Sequence, residues 1–345
     1  MHNIRKIVIR LALILVVVIV YENIVDYAYR PYKDSVTYTM QDRKKLEGTL
    51  ETVFCGTSSV QRGISPEMMN EELDTVSFNL ATSLQLMDGT YHLLRSVVEE
   101  NPVETVFLGV APDLMMREDE PTDSKVLVYE RMTDWKDKVS YLIDGCSIQE
   151  WPYIMLYSTR VEDYFDFDYV QENIEFKRSK EYKTRKTGKI RYRNNGMYSL
   201  KKSTNEKQVT FLEKKESTFQ ADLLNKKKET YYRKTIEYCK ENNIEVVLVY
   251  VPISGNAVEN LGDITPVHEY YAELAKEYDI AFFDFNYYKE LVTTFDNQKF
   301  ESGKHLNYKG AKEFTKLLAE VYKAYHREED MSTYFMDTCP YYVAE

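Results

Sequence analysis

Thr52-Val53-Phe54-Cys55-Gly56-Thr57-Ser58-Ser59 is the stretch from which the fold is read. Four strand-forming residues run into a glycine, which lets the backbone turn sharply. Ser58 then sits at the carboxyl edge of a sheet, beside a helix N-terminus whose N–H groups favour negative charge. Its own N–H can help hold an oxyanion there. Gly-Thr-Ser at a strand end is by itself an ordinary turn and helix cap, so the surrounding chain has to carry the argument.

Working outward, Ser65 reads as an N-cap, with Pro66 at the first helical position and Glu67 in the first turn. Thr75-Val76-Ser77-Phe78 reads as a second strand. From Ser83 the period becomes helical, with Leu84, Met87, Tyr91, Leu94 and Val98 on one face, ending at Asn101-Pro102. Residues 106–110 read as a third strand. A helix carrying Tyr232, Ile236 and Cys239 leads into the apolar run Val246-Val247-Leu248-Val249-Tyr250-Val251. A further helix at 270–278 precedes Ala281-Phe282-Phe283, and the last helix aligns Phe314, Leu317, Val321 and Tyr325. Strands alternating with helices, some strands apolar on both faces, predict a mostly parallel sheet in an α/β fold.

The remaining composition narrows the function. In 345 residues, 45 Lys and Arg stand against 56 Asp and Glu, a net charge of −11, which argues against a nucleic-acid binder. Cys55, Cys146, Cys239 and Cys339 are far apart, which excludes a zinc ribbon, a dithiol motif and a disulfide-dense scaffold. None of the five histidines (His2, His92, His268, His305, His326) forms a metal-ligand spacing. Neither a cofactor nor a metal is expected.

At the N-terminus, Leu11 to Val20 is unbroken apolar sequence, preceded by Arg5, Lys6 and Arg10 and followed by Glu22 and Asp26. This asymmetry predicts a cytoplasmic N-terminus and an extracytoplasmic remainder, held in the cell membrane by a single pass. Arg10 has to snorkel and Tyr21 to sit at the interface for the run to span. A cleaved signal peptide is the alternative, but no small-x-small site follows directly. A buried soluble helix is the third reading.

The expected organisation is an anchor at 1–25, a connector at 26–47, an α/β domain at 48–326 with an insertion at 115–215, and a C-terminal tail at 327–345. The insertion holds both Trp135 and Trp151. Between Lys177 and Lys202 it carries eleven Lys and Arg against one acid, Glu181. This is read as a solvated loop, or as a cap that meets an anionic polymer or phospholipid headgroups.

The second chemical pattern is His305-Leu306-Asn307-Tyr308-Lys309-Gly310-Ala311, just ahead of the last helix. A histidine there can return to the sheet edge as general base to the serine. Taken with Arg62-Gly63-Ile64-Ser65-Pro66-Glu67, Ser77-Phe78-Asn79-Leu80-Ala81, and Gln85 with Gly89-Thr90-Tyr91, these segments resemble the SGNH/GDSL-like hydrolase superfamily. More closely, they resemble its membrane-anchored envelope branch of DltD-type and O-acetyltransferase-associated proteins. The resemblance covers about residues 48–112 and 218–326. It implies a three-layer, flavodoxin-like α/β/α fold and acyl-ester chemistry, hydrolysis or transfer, on a cell-envelope glycan. It also implies a membrane-bound O-acyltransferase as partner.

Carried over by position, the resemblance makes Ser58 the nucleophile, with Ser59 as fallback, and His305 the base. Ala81 stands where the family has its oxyanion glycine, and Gln85 is a side-chain donor or a surface residue. The family's aspartate, three residues before the histidine, is replaced here by Ser302. Glu301 is the substitute acid expected from its neighbouring position, with Asp284 more remote. The family's strand-end asparagine is absent from Val110-Ala111-Pro112-Asp113. The competing expectation is a weakened or inactive protein on the same fold that binds or scaffolds.

Overall fold

The computed structural model describes residues 2–31, 35–118, 120–183 and 192–342. Helix α1 (His2–Tyr29) carries the apolar run, and residues 4–29 are long and apolar enough to cross a membrane. The region read as a connector holds a second helix, α2 (Ser35–Leu46). It is fastened to the body by Arg43, which donates to Arg131 O, Ser96 O, Glu100 and Thr133.

The central sheet is built from β1 (Thr52–Cys55), β2 (Ser77–Asn79), β3 (Thr105–Gly109), β4 (Glu245–Tyr250) and β5 (Ala281–Asp284), in the order β2-β1-β3-β4-β5. Every neighbouring pair is parallel. Between β1 and β2 lie α3 (Ser58–Gly63) and α4 (Pro66–Leu73); α5 (Met87–Val98) precedes β3. After β3 come α6 (Pro112–Met115), α7 (Thr122–Arg131), α8 (Trp135–Gly145), α9 (Trp151–Met155), α10 (Phe167–Arg178) and α11 (Lys180–Lys183). The second half adds α12 (Lys226–Glu241), α13 (Gly255–Leu261), α14 (Thr265–Tyr278), α15 (Leu291–Thr294), a short hairpin of β6 (Phe300–Ser302) and β7 (His305–Leu306), and α16 (Tyr308–His326).

Strands β1, β3 and β4 are apolar on both sides because both sides are covered. Val53, Cys55, Val106, Leu108, Val246 and Leu248 join one core with residues of α5, α12 and α14. Phe54, Phe107, Val247 and Val249 join a second core with residues of α3, α4 and α16. The period of two along each strand feeds two layers. Truncating a fully buried Phe such as Phe107 to Ala would cost about 3–5 kcal/mol.

Three features differ from the sequence expectation. The helix expected from Ser83 begins at Met87, because Leu84 adopts φ +54°, in the left-handed region. In α16 the buried face runs through Ala311, Phe314, Thr315, Leu318 and Val321. Leu317 is half-buried and Tyr325 is 39% exposed, so the apolar stripe is rotated from the one expected.

The third difference lies in the insertion, which is not a solvated loop throughout. Asn79 donates its N–H to Asn195 O, Tyr198 to Gln61 O and Thr204 to Phe300 O, so residues 195–204 run along the sheet edge beside the β6–β7 hairpin. Residues 184–191 of the basic segment, including Arg185 and Lys186, lie outside the described residues.

Candidate active site

Ser58 opens α3 directly after the turn that ends β1. The turn needs its glycine: Gly56 has φ +148°, and a Cβ there would lie 2.8 Å from Val60 Cγ2 and 3.3 Å from Gly109 Cα. Gly109, at the end of β3, is equally constrained, since its Cβ would lie 2.3 Å from Val60 Cγ2. These two glycines let β1, β3 and α3 close together beneath the serine. The first backbone N–H groups of α3 have no partner within the helix.

His305 comes to the same edge through the β6–β7 hairpin. Ser302 and His305 pair across the Gly303-Lys304 turn, and the hairpin is held by Ser254 N donating to Gly303 O at 2.9 Å. Asn307 then caps α16, accepting from Gly310 N at 3.0 Å. His305 Nε2 lies 2.8 Å from Ser58 Oγ, and His305 Nδ1 lies 2.8 Å from Ser302 Oγ. The three groups form a continuous serine–histidine–serine chain. The hydroxyl of Ser59 lies 3.4 Å from Thr57 Oγ1, so the residue aimed at His305 is Ser58.

The carboxylate expected from Glu301 is turned elsewhere. Successive side chains on a strand point to opposite faces, so the register that brings Ser302 to His305 sends Glu301 away. Its two oxygens accept from Arg62 and from Leu200 N. Asp284 is equally committed, bonding His268 Nδ1 at 2.9 Å and Asn286 N at 3.0 Å. Among the described residues no carboxylate is hydrogen-bonded to His305.

Electrostatics follow from this arrangement. Burial, then the charges of Arg62 and Lys304, push the His305 imidazole down to about 4 against an opposing pull from Asp113. The imidazole is therefore neutral, and able to accept a proton, across the ordinary pH range. Its tautomer is less well fixed. The hydroxyl of Ser302 can accept from Nδ1–H or donate to a bare Nδ1, whereas a carboxylate only accepts.

The oxyanion side is less complete. Ala81 N–H donates to Asn79 Oδ1 at 3.1 Å, while Asn79 Nδ2 donates to Val60 O and Ile64 O. Gln85 is buried, its Nε2 bonded to Thr90 Oγ1 and its Oε1 without a hydrogen-bond partner among the described residues, in a recess behind Gly56 and Thr57. Neither Ala81 nor Gln85 lines the cleft that holds Ser58 and His305. That cleft, of about 150 Å³, is walled by Leu84, Val110, Ala111, Pro112, Asp113, Tyr250 and Lys304 among others. The loop after β3, read from sequence only as lacking an asparagine, thus forms one wall. The left-handed backbone at Leu84 brings another side chain to it. At the mouth, Lys304 Nζ lies 3.2 Å from Asp113 Oδ2.

Elsewhere, Glu99, Asp134 and Asp137 bring carboxylate oxygens within 4.8 Å of one another. Arg95 lies 3.7 Å from Glu99 and 3.6 Å from Asp137, so the cluster already has its cation. No family model matches the chain, and no curated protein matches it in sequence.

Proposed function

We propose that this protein is an exported, membrane-anchored acyl-ester enzyme of SGNH type, an esterase or transferase acting on a cell-envelope polymer. The observation that carries the reading is the 2.8 Å contact between Ser58 Oγ and His305 Nε2, formed by residues 247 positions apart at the carboxyl edge of one parallel sheet. Open α/β sheets place their sites at that edge, and the strand order is also the flavodoxin-like one. In this reading Ser58 Oγ attacks the ester carbonyl while His305 Nε2 takes its proton. The proton passes to the departing alcohol, leaving an acyl-serine. Water or an acceptor hydroxyl then attacks that ester, its proton going to His305, which passes it to Ser58 Oγ as the acyl–oxygen bond breaks, restoring the hydroxyl and the neutral imidazole.

The extracytoplasmic location rests on the apolar α1 with Arg5, Lys6 and Arg10 before it. The resemblance adds a membrane-bound O-acyltransferase as partner. A second reading, a binding or scaffold protein with a weakened site, is favoured by Ser302 at the position of the acid and by the committed N–H of Ala81. One experiment separates them. The full chain, treated with a fluorophosphonate and assayed on a short-chain aryl ester, should label and turn over in a Ser58-dependent manner. Absence of both in the folded protein would favour the scaffold.

A further inference from the structure

Two exposed apolar clusters lie on elements that neighbour the C-terminal part of α1. On α8, Trp135, Val139 and Ile143 follow one another at helical spacing and are 68%, 45% and 64% exposed. Tyr141 and Leu142, on the other side of that helix, are buried in the body. On the segment leading into α10, Phe165 and Phe167 are 81% and 69% exposed, with their rings edge-to-face.

Both clusters lie on elements that meet the last turns of α1, between Tyr21 and Arg30. Tyr164, next to Phe165, receives a bond from Tyr21 Oη at 3.5 Å, and its carbonyl accepts from Tyr29 Oη at 2.7 Å. On the other side Lys138, next to Val139, lines one basin with Glu22, Asp26 and Arg30 of α1. The body is fixed to this stem. Ser158 N donates to Glu22 at 3.0 Å, Arg30 pairs with Glu130 at 2.8 Å, and Asn173 Nδ2 donates to Ala28 O at 2.8 Å. The apolar run from Ile7 to Val20, interrupted only by Arg10, is closed by Tyr21, and Glu22 is the first charge beyond it. A membrane boundary therefore falls near Tyr21 and Glu22.

From this placement we infer that the α8 stripe and the Phe165–Phe167 pair rest in the leaflet surface from which α1 emerges, making a lipid-contacting seat for the domain. The chemistry suits a lipid surface. Trp favours the headgroup boundary, Phe is among the residues that interfacial segments bury below it, and the α8 stripe is flanked by Lys136 and Lys138 as in helices that lie in that plane. Two of the acids beside the Phe pair are turned to local backbone: Asp163 accepts from Phe165 N and Asp166 from Tyr169 N, while Asp168 is exposed. The seat rests on the reading of α1 as a membrane anchor.

The test uses the full chain in vesicles of mixed phosphatidylcholine and phosphatidylglycerol, with lipids brominated close to the headgroup as quenchers. Trp151→Phe leaves Trp135 as the only tryptophan. A separate Val17→Cys variant carrying a fluorophore reports the anchor. Quenching of both probes, with a blue shift of Trp135 emission, supports the seat. A quenched Val17 probe with water-like, unquenched Trp135 emission overturns the seat while the anchor stands. An unquenched Val17 probe overturns the anchor reading and the seat together. Should Trp151→Phe misfold, the difference spectrum between wild type and Trp135→Phe reads the same quantity.

Discussion

Ser302 Oγ lies 2.8 Å from His305 Nδ1, where a serine–histidine hydrolase holds a carboxylate. In a serine protease, a worked case of this role, replacing that carboxylate by an amide costs about 10⁴ in turnover because the imidazole takes the wrong tautomer. A hydroxyl fits either tautomer, so on the proposed reading part of that loss is built into the chain. Ser302→Asp is expected to raise kcat on an aryl ester by roughly 10²-fold or more, with Ser58→Ala abolishing the gain. An unchanged rate would show that tautomer control does not limit this site.

Glu301 serves the hairpin and not the imidazole. Its pairing with Arg62 is largely shielded, with 4% of the Glu301 side chain and 19% of Arg62 exposed. Breaking a buried pair from one side costs about 3–5 kcal/mol, whereas removing both partners for apolar groups is often neutral. Glu301→Gln should therefore lower the urea midpoint markedly, and the double variant Arg62→Met/Glu301→Leu should recover much of it. At temperatures where Glu301→Gln remains folded, Ser58-dependent turnover should survive. Loss of turnover without loss of stability would return Glu301 to the role of acid.

Much of this was legible in the chain, for reasons that separate cleanly. Strands β1, β3, β4 and β5 announced themselves by apolar residues on both faces, β2 by Val76 and Phe78 alone, and Ser65-Pro66 marked a helix start that the structure caps through Ser65. The approach of Ser58 to His305 was readable as order along the chain, a serine after the first strand and a histidine before the last helix. Which neighbour reaches Nδ1 was not readable, because it depends on the register of a three-residue strand. A shift of one residue would exchange Ser302 for Glu301. The helix α2 was hidden by its polar surface, since Arg43 is buried through hydrogen bonds that hydrophobic periodicity cannot register. Leu84 likewise gave no signal, because only the left-handed backbone carries it to the cleft wall.

The depressed imidazole has a consequence for stability against pH. His305 titrates near 4 in the folded chain and near 6.5 when unfolded. Between these values the unfolded chain binds more protons, so stability rises with pH. This contribution is fully present above about 6.5 and is lost as pH falls through 4, amounting to at most about 3 kcal/mol. Urea titrations of wild type and His305→Gln across this window should show the variant with the shallower slope. Equal slopes would mean that His305 keeps an ordinary pKa.

The same depression predicts the pH profile of catalysis. A base that stays neutral down to about 4 loses activity only in strong acid, so the acidic limb of kcat/KM should fall near that value. Its cause is burial first, then Arg62 and Lys304. Lys304→Gln should therefore move the limb upward and Asp113→Asn should move it downward, since Asp113 pulls the other way. Ser302→Asp should move it furthest upward, because a carboxylate at Nδ1 stabilises the imidazolium. The three shifts are read from one assay, and their signs are independent of how fast each variant turns over. If the limb of wild type lies near 6.5 and none of the three variants moves it, the titrating group is not His305, and the Ser58–His305 contact is not the catalytic one.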